Sequence, residues 1–539
     1  MRLRASRILS STILLTLLTL ALVSILVALP AGRAQDQPRR GGTLTVITPS
    51  DVATFDPHDG TGFSVRIYAN IYEPLFRKDE KGVLRGHLAQ SWRFLDATHL
   101  QITLRRGVKF HSGNELTAED VKFSFERQLD PNDLARDAGV MKMIETPIKV
   151  VDRYTFTLET KAPNAALVDT LAQSLATLIP DSVEIKKWGK DYALHPSGTG
   201  PFKFVQWVRG QYIKLARNPD YWGGAPNIDE LQFKVIPEEG TRVLALENGE
   251  ADVLFETPPN AIQTLRSNPK IRVVKVPTFR DVDVSINAQK PPTDDVRFRR
   301  ALAEAIDVKS IVDHVVTPDL GHMATGLFPP TVFGACDVGF PVYSGSRAKE
   351  GFAALGYRPG NDGLLEKDGH PVQLTLVLNP QRDPRNSEVA EAIQAQLRAV
   401  GVGLTVRPYE FATYSKILQS AEGDYNLIFH GYGTPTGDAD IKAAFFLREN
   451  MPPAGQNSPR FSSAELDSVI LAAQREMDKE KRKALYCKFG QIYRDQAMGV
   501  PLYDQFRTTS MQDYVQGMVL HPDEWYTQAF TRVWLAPKK

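Results

Sequence analysis

The sequence is poor in cysteine, with two in 539 residues, Cys336 and Cys487. They lack the close spacing of a zinc ligand set or a redox pair. An exported chain can join them, and the sequence leaves their separation in space open. Histidine is scattered: His58, His111, His314, His322 and His430 form no His-x-x-x-His or His/Cys group. No metal site and no cofactor are therefore expected, and nickel or zinc could enter only as a chelate carried by the ligand. There is no excess of either charge, with 64 Lys and Arg against 63 Asp and Glu. A surface so near neutrality argues against nucleic acid as a partner. Catalytic signatures are missing too. There is no nucleophile elbow and no HExxH, and Ser197-Gly-Thr-Gly200 is not followed by the Lys-Ser/Thr of a phosphate loop. An enzyme is not expected.

Long apolar runs are equally scarce, with one exception at the start. Arg2, Arg4 and Arg7 precede the uncharged stretch Ile8–Leu29, and small residues follow at Gly32 and Ala34. This is the three-part form of a secretory signal, with cleavage expected before Gln35. The run is long for a signal, so a retained membrane anchor is the competing reading. Removing residues 1–34 takes away four arginines and no acid, which moves the net charge from +1 to −3. A periplasmic or extracytoplasmic protein is expected. At this length the mature chain should form two or three domains.

What is present is clearest between His370 and Asp440. Val372–Leu378 has strand-like alternation, and Asn386–Val400 switches to helical spacing. Val389, Ile393, Leu397 and Val400 form one stripe, with Gly401 as the C-cap. Leu404–Arg407, Phe411–Gln419 and Tyr425–Phe429 then read as strand, helix and strand. This alternation predicts parallel pairing, because a crossover helix must carry the chain back over the sheet. Ligands settle beyond the carboxyl ends of such strands. Here those ends are Asn379–Arg385, Pro408–Glu410 and His430–Asp440, the last rich in glycine and hydroxyls.

Earlier in the chain, Leu88–Arg127 reads as a two-strand meander, Ser91–Leu95 and His99–Leu104, followed by a helix. Thr117 and Asp120 have capping-box spacing, and Val121, Phe125 and Leu129 mark the buried stripe. This block resembles the extracellular solute-binding proteins of family 5, the dipeptide, oligopeptide and nickel receptors of ABC importers. Further motifs in the same order carry the resemblance over nearly the whole mature chain. They are Ser197-Gly-Thr-Gly-Pro-Phe202, Asn218-Pro-Asp-Tyr-Trp-Gly-Gly-Ala-Pro226, Leu246-Glu-Asn-Gly-Glu-Ala-Asp252, Asp295–Asp307 and Val500-Pro501-Leu502.

The resemblance implies an α/β, two-lobed periplasmic-binding-protein fold of type II, with an extra subdomain inserted in lobe I. Lobe I would use residues 35–83, 195–282 and 498–539, the insertion 84–194, and lobe II 283–497. The motifs in 88–127 would be scaffold. The function implied is capture of a peptide-like or small carboxylate-bearing solute and its delivery to the permease and ATPase subunits of an importer. The alternatives are a non-peptide solute such as an opine, sugar derivative or metal chelate, and a sensor or periplasmic peptide chaperone. A monomer is expected.

For the site, the resemblance makes Arg382 the receiver of a ligand carboxylate, with Arg385 as a rival, and Tyr432 an aromatic wall of the pocket. Thr61 and Phe55 would line the cleft from lobe I. Gly433, Thr434 and Asp438 belong to the loop facing it, and Phe279, Arg280 and Tyr503 lie near the hinge crossings. Peptide receptors of the family pair the ligand's α-ammonium with an Asp where this chain has Pro435. Asp438 would have to substitute, or the ligand has no such amine.

Overall fold

The computed structural model describes residues 38–60, 64–130, 141–172, 177–383, 385–523 and 530–538. The expected signal, residues 1–34, lies outside these. Among the described residues no helix is long and apolar enough to cross a membrane.

One mixed sheet of eleven strands runs through the molecule. At its centre are two long antiparallel strands, the outgoing Ile271–Ile286 and the returning Gly499–Gln512. Sixteen residues at about 3.3 Å each span roughly 50 Å, long enough to serve both lobes. Their pairing runs from Ile271 opposite Gln512 to Ser285 opposite Gly499. The register shifts between Pro277 and Asp281, and again between Val282 and Asp283. Pro277 has no N–H to give the ladder, so a break beside it costs little.

On one side of these strands lie Val253–Leu254, Thr43–Thr48, Glu230–Val235, Tyr212–Arg217 and Phe202–Val208. They cover a core drawn from three separated stretches, 44–72, 178–255 and 511–533. On the other side is the unit read from the sequence. Gln373–Leu378 pairs in parallel with both Gly403–Pro408 and Leu427–Gly433. The helices Asn386–Ala399 and Phe411–Gln419 make the crossovers, and Val389, Ile393 and Leu397 are buried as the stripe requires. Gly401 ends the first helix at φ +85°, where an L side chain would be strained.

The third strand departs from the expected span. It runs Leu427–Gly433, because Arg280–Ile286 pairs along it, Arg280 opposite Gly433 and Ile286 opposite Leu427. His430–Gly433 is therefore strand, where loop was expected. The loop begins at Thr434.

The meander also forms, as Ala89–Phe94 and His99–Leu104 in a four-stranded antiparallel sheet with its own core. The helix Ala118–Leu129 follows, and the Thr117 N–H donates to Asp120 at 2.8 Å. Cys336 and Cys487 are joined, with Cα atoms 5.5 Å apart. The bond ties a loop to the helix Lys479–Asp495.

Candidate functional site

Two of the family-like motifs, 197–202 and 218–226, meet at one buried acid. Glu73 is fully buried and gathers their polar groups. Its Oε1 accepts from His87 Nε2 at 2.6 Å, Tyr221 Oη at 2.6 Å and Arg77 at 3.3 Å. Its Oε2 accepts from Trp222 Nε1 at 2.7 Å and Thr199 Oγ1 at 2.8 Å. Desolvation opposes its charge, but His87, Arg77 and Tyr221 outweigh that and hold the carboxyl down to about 2. Arg299 similarly donates to the carbonyls of Thr293, Asp294 and Gln496, and Asp252 accepts from the Thr45 N–H. His111, within the 88–127 block, has its Nε2 2.9 Å from the Gly200 carbonyl.

The carboxyl ends of the parallel strands bring a different set together. Arg382 donates through Nη2 to the Gly431 carbonyl at 2.9 Å, with its Nε 4.0 Å from Asp383. Asp383 is buried and bonded to Arg280 Nε at 2.6 Å. This pair crosses bare backbone: a Cβ on Gly431 would lie 2.5 Å from Arg280 and 2.6 Å from Asp383. Arg280 is thus neutralised by Asp383, while Arg382 keeps a quarter of its side chain exposed. Arg385 instead starts the helix Asn386–Ala399 at φ +59°, with Glu388 3.7 Å away.

Several expected cleft residues sit elsewhere. Tyr432 is 1% exposed and packs in a core with Phe446 and Phe489. Its ring stacks on His430 at 4.0 Å, and Lys442 Nζ stands 4.7 Å from its centre. Strand pairing turned it inward. Phe55 is buried in the first lobe against Phe204 at 4.8 Å and Trp207 at 5.3 Å, so its ring belongs to that core. Thr61 lies outside the described residues.

Gly433 ends its strand opposite Arg280. Thr434 clamps the Phe279 carbonyl with both its N–H, 3.0 Å, and its hydroxyl, 2.8 Å. Asp438 is buried in an ion pair with Arg482 at 2.7 Å, which commits its carboxylate. Burial nevertheless pushes the acid upward against the pull of Arg482. Tyr503 is buried in the returning strand. Phe279 borders a space of about 10 Å³ shared with Lys78, Pro435, Thr436, His521 and Asp523. That volume holds about one water. A wider groove of about 540 Å³ opens between Glu230–Val235 and Glu239–Glu247 and involves none of these residues.

Sequence reasoning missed a buried acid row on the crossing strands. Asp281 stands opposite both Asp504 and Tyr432, and Asp283 opposite His430. Lys442 donates to Asp281 at 2.6 Å. Burial drives Asp283 up to about 7 and Asp504 up to about 8, with Lys442 opposing in both cases. The signal was there in Asp281-Val-Asp283-Val, acids alternating with valine inside an apolar stretch. Among the described residues no group of three His, Cys, Asp or Glu is placed to hold a metal.

Residues 83–450 match the profile of the bacterial extracellular solute-binding proteins, family 5 Middle. This chain belongs to that family. The glutathione-binding protein GsiB of Salmonella choleraesuis (strain SC-B67) is 26% identical over 516 residues, covering 94% of this chain and 96% of GsiB. The di/tripeptide-binding protein 2 of Pseudomonas aeruginosa (strain UCBPP-PA14) is 28% identical over 529 residues, covering 92% and 96%. Among solved structures, HbpA2 of Haemophilus parasuis superposes with a TM-score of 0.80 at 26% identity, covering 92% of this chain and all of HbpA2. The two-lobed binding-protein fold of family 5 is thus the fold of this chain.

Proposed function

We propose that this chain captures a peptide-like or small carboxylate-bearing solute between its lobes and delivers it to an ABC importer. The observation that carries the reading is end-to-end similarity to receptors named for glutathione and for di- and tripeptides. Arg382 supplies the chemistry. Its guanidinium lies at the strand ends, is held by one backbone carbonyl and is partly exposed, and it can take a carboxylate through two parallel hydrogen bonds.

A space of 10 Å³ is far below the few hundred that a small-molecule pocket needs, so the lobes must part to admit the solute. The solute then favours the closed form by binding it more tightly than the open one. No turnover is involved. The core built from 44–72, 178–255 and 511–533 supports lobe I as 35–83, 195–282 and 498–539. The separate core of 75–179 supports an insertion over 84–194, and the two cores that dominate 279–503 support lobe II as 283–497. The chain is exported by residues 1–34 and works as a monomer.

The test is native mass spectrometry of the secreted protein, before and after denaturation. A retained peptide-like mass that denaturation releases is the expected result. Arg382→Ala should lose it, and undiminished retention by that variant would remove Arg382 from the site.

A further inference from the structure

Lys78 ends the short strand Phe76–Lys78 and is 7% exposed, an unusual place for an ammonium. Its Nζ lies 2.7 Å from Asp169 and 5.9 Å from the centre of the Phe279 ring. It faces the second lobe directly, because a Cβ on Gly437 would sit 3.0 Å from it. Gly437 has φ +62°, so the chain is suited to leaving that approach open. An ammonium carries three N–H donors, and among the described residues Asp169 is the polar acceptor shown for this one.

The rest of the cavity wall carries one further charged residue, the buried Asp523. Pro435 has no N–H, and Phe279 presents an apolar ring. His521 is neutral: its Nδ1 accepts the Asp523 N–H at 3.0 Å, and its Nε2 donates to the Lys78 carbonyl at 2.8 Å. The nearby Asp438 is committed to Arg482. Beside Asp523, what the wall offers a solute is the donor capacity left on the Lys78 ammonium, at the junction of the two lobes.

We propose that Lys78 contacts the solute and receives a second carboxylate, on a peptide-like molecule whose first carboxylate is held at Arg382. The inference rests on the peptide-like reading above and narrows it to acidic peptides. A neutral carbonyl could accept the same proton, but a bond between ions is roughly twice as strong, and the difference grows as water leaves the cleft.

The probe is an equimolar pool of dipeptides in which every Asp or Glu peptide is matched by its Asn or Gln counterpart. The secreted protein is incubated with the pool and read by native mass spectrometry. The wild type should retain acidic members at least ten-fold over their amides. Lys78→Met combined with Asp169→Asn leaves no uncompensated carboxylate behind, and should retain peptides without that preference, while Lys78→Arg should keep it. Equal retention of acids and amides by the wild type, or a preference that survives in the double variant, overturns the proposal alone. Retention of no peptide at all overturns the peptide-like reading and this inference with it. If the double variant does not fold, an equal wild-type ratio still overturns the proposal, and loss of the preference in Lys78→Arg counts against it as well.

Discussion

Glu73→Gln is the sharpest test of the claim that the family motifs are scaffold. The carboxylate accepts five hydrogen bonds, three on one oxygen and two on the other. A glutamine keeps the shape but replaces one oxygen by an amide nitrogen, which turns an acceptor into a donor. Whichever way the amide points, at least two buried donors lose their acceptor, at about 1–3 kcal/mol each. Titration points the same way. The carboxyl is held down to about 2, while burial and Arg77 push His87 down to about 4, so at neutral pH His87 supports the carboxylate as a neutral N–H donor and Arg77 as the charge. The sign follows from a depressed acid: the contribution is complete above 4.5 and is lost as the pH falls through about 2. Urea denaturation at pH 7 should therefore show a loss of about 3–4 kcal/mol with an unchanged slope, and the deficit should shrink in acid. The folded fraction should still retain solute, since none of the side chains bonded to Glu73 is bonded to Arg382. A variant within 1 kcal/mol of the wild type, or one that folds fully yet loses solute, refutes the reasoning.

Two further outcomes follow from buried groups. Asp504 is held up to about 8, chiefly by desolvation, so the folded chain keeps a proton that the unfolded chain loses near 3.8. Wild-type stability should then fall as pH rises between those values, by up to about 1.4 kcal/mol per unit, and Asp504→Asn should be spared. Paired melts at pH 5 and pH 8 check this, and an advantage of Asn that fails to grow with pH contradicts it. The Cys336–Cys487 bond closes a stretch of 151 residues, which by loop entropy is worth about 5 kcal/mol. Replacing both cysteines by serine should lower the urea midpoint, and reductant should no longer affect the protein.

The second-lobe sheet was legible because its signal is local. Val389, Ile393 and Leu397 recur at helical spacing, and the strands on either side alternate. The course of His430–Gly433 was not legible, because no local preference decides it. The strand persists only because Arg280–Ile286, some 150 residues earlier, pairs along it. The same pairing holds Tyr432, expected as a wall of the pocket, among buried side chains. Asp281 and Asp283 did not stand out in the sequence, since alternation with valine is also the ordinary mark of a half-exposed strand. Both faces of that strand are in fact covered. Lys78 and Asp169 could not be matched at all, as each lies in a different stretch of chain and neither belongs to a motif.

The register shift between Pro277 and Asp281 bears on how solute contact and lobe movement are joined. On one side of it the outgoing strand pairs with residues 506–512, and on the other with 499–504 and with Leu427–Gly433. Phe279 lies inside the interruption, so its backbone is not fixed by the ladder of the two crossing strands. Three other contacts fix it. Its N–H meets the Pro522 carbonyl at 3.2 Å, and its own carbonyl accepts twice from Thr434. Its ring meanwhile borders the cavity beside Lys78. A residue that borders the cavity is therefore also one whose backbone links the C-terminal stretch to the loop beginning at Thr434 across a break in the sheet. A group that displaces the ring acts on the part of the crossing least restrained by strand pairing, and an interior packed like a crystal carries that displacement to its neighbours.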